Sequence, residues 1–323
     1  MSKTIACVVP SHKQELTDLF LSNWKELFEK HNVEFILVND SEDIPFIEYE
    51  GKRIDLKSEL ISNHCAGVRQ LGFLFIAQNL PDVEYILTFD TDTSPIGDPI
   101  QDHIDALNRY VPISWISTGS EYFRGFPYGV RKEAPVKLSH GVWEGNYDWD
   151  APSQLLKEDV EATFPKMVIP KGIFAPICGM NLAFKREALP YIYFAPVGQF
   201  KGCERADDIW MGIMVIKKFA ELNWAIVSGY AKVQHLRASN VFISMEKEAV
   251  GLRHNELFWQ DPENYNGDPI QFEEVEGKNI CTIDTLSNSN KWFEVSLHLT
   301  SEQAEYIKNL INFINDNLPR TKV

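Results

Sequence analysis

The feature that most constrains this chain is Tyr85-Ile86-Leu87-Thr88-Phe89-Asp90-Thr91-Asp92, an apolar, β-rich run that ends in two carboxylates. Thr93, Ser94 and Pro95 follow, so the run reads as a buried strand opening onto an acidic loop. On an extended backbone, residues two apart point to the same side, and Asp90 and Asp92 would face one cation. Carboxylate oxygens suit Mn²⁺ or Mg²⁺, ions commonly held by one or two carboxylates and a substrate's phosphates. A metal–diphosphate site at the carboxyl end of a central strand is one expectation. The other is a pair of solvated turn residues, since Asp and Thr are ordinary turn formers.

The flanking pattern supplies a sheet for that strand. Thr4 to Val9 is a β-branched run stopped by Pro10. Leu16, Leu19, Phe20, Trp24, Leu27 and Phe28 recur at helical spacing, and Val33 to Val38 is a second strand ending in Asn39-Asp40-Ser41. Strand, helix and strand with polar loops at the strand carboxyl ends begin a parallel α/β sheet. A helix is expected over Glu59 to Gln78, and a fourth strand at Ile113 to Ser117. Residues Tyr122 to Pro152 are crowded with Gly, Pro and aromatics and read as long loops over a rigid scaffold. Further strands are expected at Met167 to Ile169, Asn181 to Phe184, Trp224 to Val227 and Tyr230 to Val233, with a helix from Asp207. Past Gln260 the chain reads as polar and loop-like until an amphipathic helix from Ser301. The expected division is a catalytic domain over 1–260 and an extension over 261–323.

Charge and cysteine usage narrow the function. A formal net charge of −15 argues against non-specific binding to nucleic acid or to an anionic membrane. A phosphorylated substrate would then need a cation and well-placed arginines. Met1-Ser2-Lys3 leads directly into a strand, so no secretory signal is expected, and no apolar run approaches a membrane span. The five cysteines are scattered without Cys-x-x-Cys spacing, which disfavours a disulfide framework and structural zinc. A reduced, cytoplasmic protein is expected.

Other clusters carry chemistry with a plainer reading beside it. Arg124 and Arg131 lie in a Gly- and aromatic-rich loop that suits phosphate or sugar recognition through guanidinium forks, or is an exposed loop with two solvated cations. Asp207-Asp208 opens a helix, where carboxylates cap; the alternative is a base or a stabiliser of an oxocarbenium-like centre. His235 closes a late strand and offers nitrogen to the metal at Asp92, with Arg237 reaching a phosphate, or is a hydrogen-bonded structural group. Gly179 permits close backbone approach to a ligand, or is a bulge before a strand. Cys178 has no histidine near it in sequence and reads as a buried thiol. The eight histidines show no His-x-x-x-His spacing, and no Gly-x-Gly-x-x-Gly or Walker loop occurs.

Taken together, several strings resemble the reversibly glycosylated polypeptide family, which includes plant UDP-arabinopyranose mutases. They are Arg124 to Arg131, Ser139-His140-Gly141-Val142-Trp143, Tyr147 to Gln154, Ile169-Pro170-Lys171-Gly172 and Cys178 to Phe184, followed by Asp207-Asp208-Ile209-Trp210, His235, Ala238-Ser239-Asn240 and Phe258-Trp259-Gln260. The resemblance is dense from residue 84 to 260, looser before it and absent from the tail.

The resemblance implies a glycosyltransferase-A-like α/β fold: a Rossmann-type mixed, mostly parallel sheet flanked by helices, with a small C-terminal helical extension. It also implies a divalent cation, Mn²⁺ or Mg²⁺, and interconversion of the pyranose and furanose forms of a UDP-sugar, UDP-L-arabinose first. Glycosylation of an arginine, here Arg124, comes with it. The family's acidic triplet appears as Asp90-Thr91-Asp92, without its middle carboxylate. A Lys-Asp pair of the plant proteins is replaced by His64-Cys65, which puts the identity of the sugar in question. The expected catalytic residues are Arg124, Asp207 and Asp208, and the metal ligands Asp90, Asp92 and His235. The expected substrate-binding residues are Pro10, Asp40, Arg69, Arg131, His140, Trp143, Lys171, Gly179, Asn181, Trp210 and Arg237. The alternatives are transfer of the sugar to a separate acceptor and a non-catalytic nucleotide-sugar-binding subunit. The expected partner is the UDP-sugar, with self-association into a homo-oligomer compatible with this reading.

Overall fold

The computed structural model describes residues 4–40, 45–55, 66–116, 122, 124–146, 148–156, 165–173, 175–192, 194, 205, 207–236, 240–248, 270–275, 278–283 and 298–299. The first half runs β1 (Ile5–Ser11), α1 (Gln14–Lys30), β2 (Glu34–Asn39), β3 (Phe46–Tyr49), β4 (Lys52–Ile54), α2 (Arg69–Asn79), β5 (Tyr85–Phe89), β6 (Thr93–Pro95), α3 (Pro99–Leu107) and β7 (Tyr110–Val111). Then come β8 (Ala134–Gly145), α4 (Ala151–Leu156), β9 (Met167–Ile169), β10 (Asn181–Lys185), α5 (Asp207–Leu222) and β11 (Ala225–His235). Among the described residues these strands form one sheet in the order β4-β3-β2-β1-β5-β10-β8-β11-β6, with β7 on β8 and β9 on β11.

The sheet is mixed, as expected. β1 pairs in parallel with β2 and β5, and β8 pairs in parallel with β11. The remaining ladders, including β5 with β10 and β10 with β8, are antiparallel. Alternation along β1 explains the layers, because successive side chains leave opposite faces. Ala6 and Val8 join a core with Leu74 of α2 and Met211, Val215 and Phe219 of α5. Ile5, Cys7 and Val9 join a second core with Phe20 and Trp24 of α1 and Ile100 and Leu107 of α3. Helices therefore cover both faces of the sheet, and backbone polar groups at the strand carboxyl ends are left to build a site.

Within this sheet three expectations change. The strand expected at Ile113 to Ser117 gives way to the short β7, and residues 112–116 are irregular. Pro112 has no N–H to continue the ladder, while the Ile113 carbonyl accepts from Lys171 N at 2.7 Å. The stretch read as loops contains β8, the strand between β10 and β11, with six consecutive buried residues from Leu138 to Trp143. Burial on both faces removes the alternation that marks a strand in sequence. The two late strands are one, β11, which shifts register between Ser228 and Lys232, where Gly229 adopts φ +83°.

Past residue 260, β12 (Ile270–Val275), β13 (Lys278–Ile283) and β14 (His298–Leu299) form an antiparallel three-stranded sheet where loop was expected. Glu276-Gly277 between two strand-like runs was the available sequence signal. The terminal helix and His64-Cys65 lie outside the described residues. No helix among the described residues is long and apolar enough to cross a membrane.

Candidate active site

Four strand ends meet at one edge of the sheet. β5 delivers Asp90, and β10, antiparallel to it, starts at the same end, so Asp90 N donates to Met180 O at 3.1 Å. β11 ends at His235, which lies in register with Thr93 of β6, and Leu236 N donates to Asp92 O at 2.8 Å. Near β1, Asp40 N donates to Ser11 O at 2.7 Å and the Asp40 side chain is buried, while Pro10 is half-buried.

The two carboxylates do not share one extended strand. Residues 91 and 92 form a turn, closed by Thr93 N and Oγ1 donating to Asp90 O at 3.2 and 2.7 Å. The two side chains therefore do not share one side of a strand, and they divide. Asp90 pairs with Arg69, whose Nη2 donates to its Oδ1. Arg69 is 3 % exposed, donates Nε to Thr88 Oγ1 at 3.0 Å, and lies 5.7 Å from the Phe194 ring centre. Asp92 instead faces His235, with Nε2 to Oδ2 at 3.7 Å.

His235 is held in a fixed tautomer. Its Nδ1 donates to the Asn146 carbonyl at 2.6 Å, which in the neutral ring leaves the Nε2 lone pair toward Asp92. Burial alone would depress its pKa. The Asp92 carboxylate, with Asn146 O and Asp148, outweighs burial and holds the imidazole above its ordinary value. A proton or a divalent cation at Nε2 would each answer the Asp92 charge. Among the described residues no group of three His, Cys, Asp or Glu is placed to hold a metal. Of the three expected ligands, Asp92 and His235 stand side by side and could offer a cation two donors, with water and phosphate completing the sphere, while one oxygen of Asp90 is engaged by Arg69.

Asp207 and Asp208 open α5 and point into this end of the sheet. Asp207 is 1 % exposed and accepts from Gly67 N at 3.0 Å and Asp208 N at 3.1 Å. Asp208, half-buried, accepts from Gly179 N at 3.1 Å and Ile209 N at 2.8 Å. Burial, then the neighbouring Asp208 charge, pushes Asp207 up to about 7 against the opposing pull of Arg69. Burial likewise raises Asp208, aided by Asp148. Capping and chemistry are thus compatible: backbone donors fix both groups while burial keeps a proton on the pair near neutrality.

The Gly179 loop is anchored through its neighbour. Cys178 N donates to His140 Nε2 at 3.2 Å, and His140 Nδ1 donates to Ser228 Oγ at 2.9 Å. Burial pushes the His140 imidazole down to about 4, so it stays neutral in this tautomer. The Cys178 thiol is pushed well up by burial and by the charges of Asp208 and Asp148, and it donates to Asp148 Oδ2 at 3.5 Å. A protonated thiol bound to a carboxylate is no nucleophile.

Other expected substrate contacts lie elsewhere. Asn181 is fully buried, accepts from His103 Nε2 at 2.8 Å, and donates to Val142 O and Ala231 O at 3.0 and 3.3 Å, bracing β10 against β8 and β11. Trp210 is 1 % exposed in the α5 core, and Trp143 stacks edge-on against His140. The Lys171 side chain is exposed, on a loop held to Ile113. Arg124 is exposed in a turn, and Arg131 is ringed by aromatics of the same loop. Arg237 lies outside the described residues. Asp148 lies within one of the strings that resemble the family but carries no local signal of a role, and His103, Ser228 and Thr88 belong to no local pattern.

The fold and this cluster define an α/β enzyme whose acidic, arginine-containing site lies at the carboxyl ends of its central strands. Residues 1–261 match the family described as reversibly glycosylated polypeptide. UDP-arabinopyranose mutase 3 of Arabidopsis thaliana is 31% identical over 273 residues, covering 75% of this chain and 72% of the relative. Probable UDP-arabinopyranose mutase 1 of Pisum sativum is 30% identical over 273 residues, with the same coverage of 75% and 72%. The catalytic domain of Drosophila β1,4-galactosyltransferase 7, solved with xylobiose, aligns over 94% of this chain and 98% of its own at 12% identity and a TM-score of 0.42. The chain belongs to the reversibly glycosylated polypeptide family.

Proposed function

We propose that this protein is a UDP-sugar mutase that interconverts UDP-L-arabinopyranose and UDP-L-arabinofuranose, with Arg124 open to glycosylation by the same sugar. The observation that carries the reading is the convergence of Arg69–Asp90, Asp92–His235 and Asp207–Asp208 at one sheet edge in a chain of this family. A divalent cation, Mn²⁺ or Mg²⁺, would be held by Asp92 and His235 and supplies Lewis-acid charge to the diphosphate leaving group.

The chain's own residues do the rest. As the anomeric carbon–oxygen bond breaks, its electrons leave with UDP and positive charge grows on the sugar. Asp208, the less buried of the acidic pair, stabilises that charge. In the contraction the C4 oxygen bonds the anomeric carbon as the bond from the C5 oxygen to that carbon breaks; Asp208 takes the proton of the C4 hydroxyl and returns it to the C5 oxygen, and the UDP phosphate oxygen then re-forms its bond to the anomeric carbon. Asp207 stands behind Asp208 and sets its protonation. Arg69 neutralises Asp90 through one carboxylate oxygen, which leaves the other to accept from substrate hydroxyls. Arg124 is a weak nucleophile, because its nitrogen lone pairs are delocalised over the planar guanidinium. Its glycosylation needs a carboxylate to accept the proton.

The test is incubation with UDP-arabinopyranose and Mn²⁺, followed by chromatography that separates pyranose, furanose and free UDP. A furanose peak that vanishes with chelation is expected. Free UDP without furanose would replace the mutase by a transferase or hydrolase at the same site, and unchanged substrate would remove arabinose as the sugar.

A further inference from the structure

The loop that carries Arg124 is held by a side chain that looks, in sequence, like a second phosphate ligand. Arg131 lies with its guanidinium carbon 4.0 Å from the Tyr128 ring centre, 4.5 Å from Tyr122 and 5.7 Å from Phe126. Its Nη2 donates to the Phe126 carbonyl at 2.7 Å, and its Nε is buried with no hydrogen-bond partner. Two of its three nitrogens are therefore turned into the loop. The rings also pack on one another: Trp115 lies 5.3 Å from Tyr122 and 5.1 Å from Phe126, and Tyr122 lies 5.5 Å from Phe126. Trp115 Nε1 donates to Lys132 O at 3.0 Å, tying the far end of the loop to the segment after β7. Between these anchors, Arg124 precedes Gly125, whose φ of +90° makes the reversal that sets Arg124 at the tip.

We propose that Arg131 is a positioning residue: its planar cation, caged by Tyr122, Phe126 and Tyr128, fixes the loop that presents Arg124, and it acts without touching the UDP-sugar. This rests on the mutase reading above. A guanidinium held face-on to several rings gains from cation–π attraction and stacking, which an ammonium on a flexible stem does not reproduce. The cage shortens the list of conformations open to residues 124–130, and orientation of a reacting group is worth more than its mere presence.

The test uses the full chain with Arg131→Lys, Tyr128→Ala and Tyr128→Phe. Tyr128 is 84% exposed, so its variants leave the core intact. Three quantities are read: amide hydrogen exchange of the 122–131 peptide, affinity for UDP with Mn²⁺ by calorimetry, and turnover of UDP-arabinopyranose with labelling of Arg124. Arg131→Lys and Tyr128→Ala are expected to speed exchange and to lower kcat and Arg124 labelling about ten-fold or more, with the UDP Kd within about two-fold of wild type. Tyr128→Phe, which keeps the ring, is expected to match wild type in all three. A ten-fold loss of UDP affinity in Arg131→Lys would make Arg131 a ligand and overturn the proposal. Unchanged exchange, or full turnover with a loosened loop, would overturn it equally. A wild-type protein that does not turn over UDP-arabinopyranose would sink the mutase reading, while the exchange rates still decide the clamp.

Discussion

Asp208 accepts the backbone N–H of Gly179 at 3.1 Å, so the first turn of α5 and the loop entering β10 are locked together beside the end of β5. Asp207, one residue earlier, makes the matching bond to Gly67 just before α2. Neither contact is local, and together they bring the acid pair to the edge where Asp90 and Asp92 emerge.

The first prediction concerns pH. Asp207 is raised to about 7 by burial and by Asp208, so the pair carries a proton just below neutrality. If the singly protonated pair is the working form, kcat falls as pH rises through about 7, and Asp207→Asn removes that limb. Stability follows from the same shift. An unfolded aspartate releases its proton near 3.8, whereas the folded one keeps it to about 7. Folding therefore weakens as pH rises across that window, and Asp207→Asn flattens the slope. Urea midpoints at several pH values check the second effect, and steady-state rates the first.

A second prediction separates the two acidic residues of the Asp-x-Asp run. Asp92→Asn or His235→Ala should weaken Mn²⁺ binding about ten-fold or more, while Asp90→Asn, whose carboxylate is engaged by Arg69, changes it far less. Titration of Mn²⁺ followed by the spin resonance of the free ion reads this without turnover. Equal losses in all three variants would restore Asp90 to the ligand set.

Two buried histidines give a third. His103 bridges Ser139 Oγ and Asn181 at 2.9 and 2.8 Å, and His140 bridges Ser228 and Cys178. Burial lowers both imidazoles to about 4. The unfolded rings protonate near 6.5, so the stability these groups contribute is complete above that value and is lost as pH falls toward 4. Long-range nitrogen–proton correlation spectra at pH 6 should show two neutral rings of opposite tautomer, with the proton on Nε2 in His103 and on Nδ1 in His140.

A fourth tests the brace between strands. A Cβ on Gly141 would fall 2.0 Å from Asn181 Nδ2, inside a fully buried hydrogen-bond network. Gly141→Ala should cost about 3 kcal/mol, read by urea unfolding. Gly129→Ala, where an added Cβ meets nothing within 4 Å, should stay within about 0.5 kcal/mol.

The helices α1 and α5, the strands β1, β2, β5 and β10, and the acidic strand end were legible because each rests on local periodicity: apolar residues every three or four positions, or a short β-branched run closed by polar residues. β8 was not, because a strand covered on both faces has no alternation, and its Pro135, Gly141 and Gly145 resemble loop residues.

Local order along the chain thus determined which residues could carry chemistry: the Asp-x-Asp run, Asp207-Asp208, Arg124, Arg131 and His235, with Arg69 added by the family resemblance. Tertiary structure alone decided how they pair. Arg69 neutralises Asp90, His235 rather than Asp90 stands beside Asp92, and Arg131 turns inward onto rings. Two of these pairings join residues far apart in sequence, and the third depends on how a loop packs. Their strength comes from burial, which raises the cost of an unpaired charge until each one finds its partner.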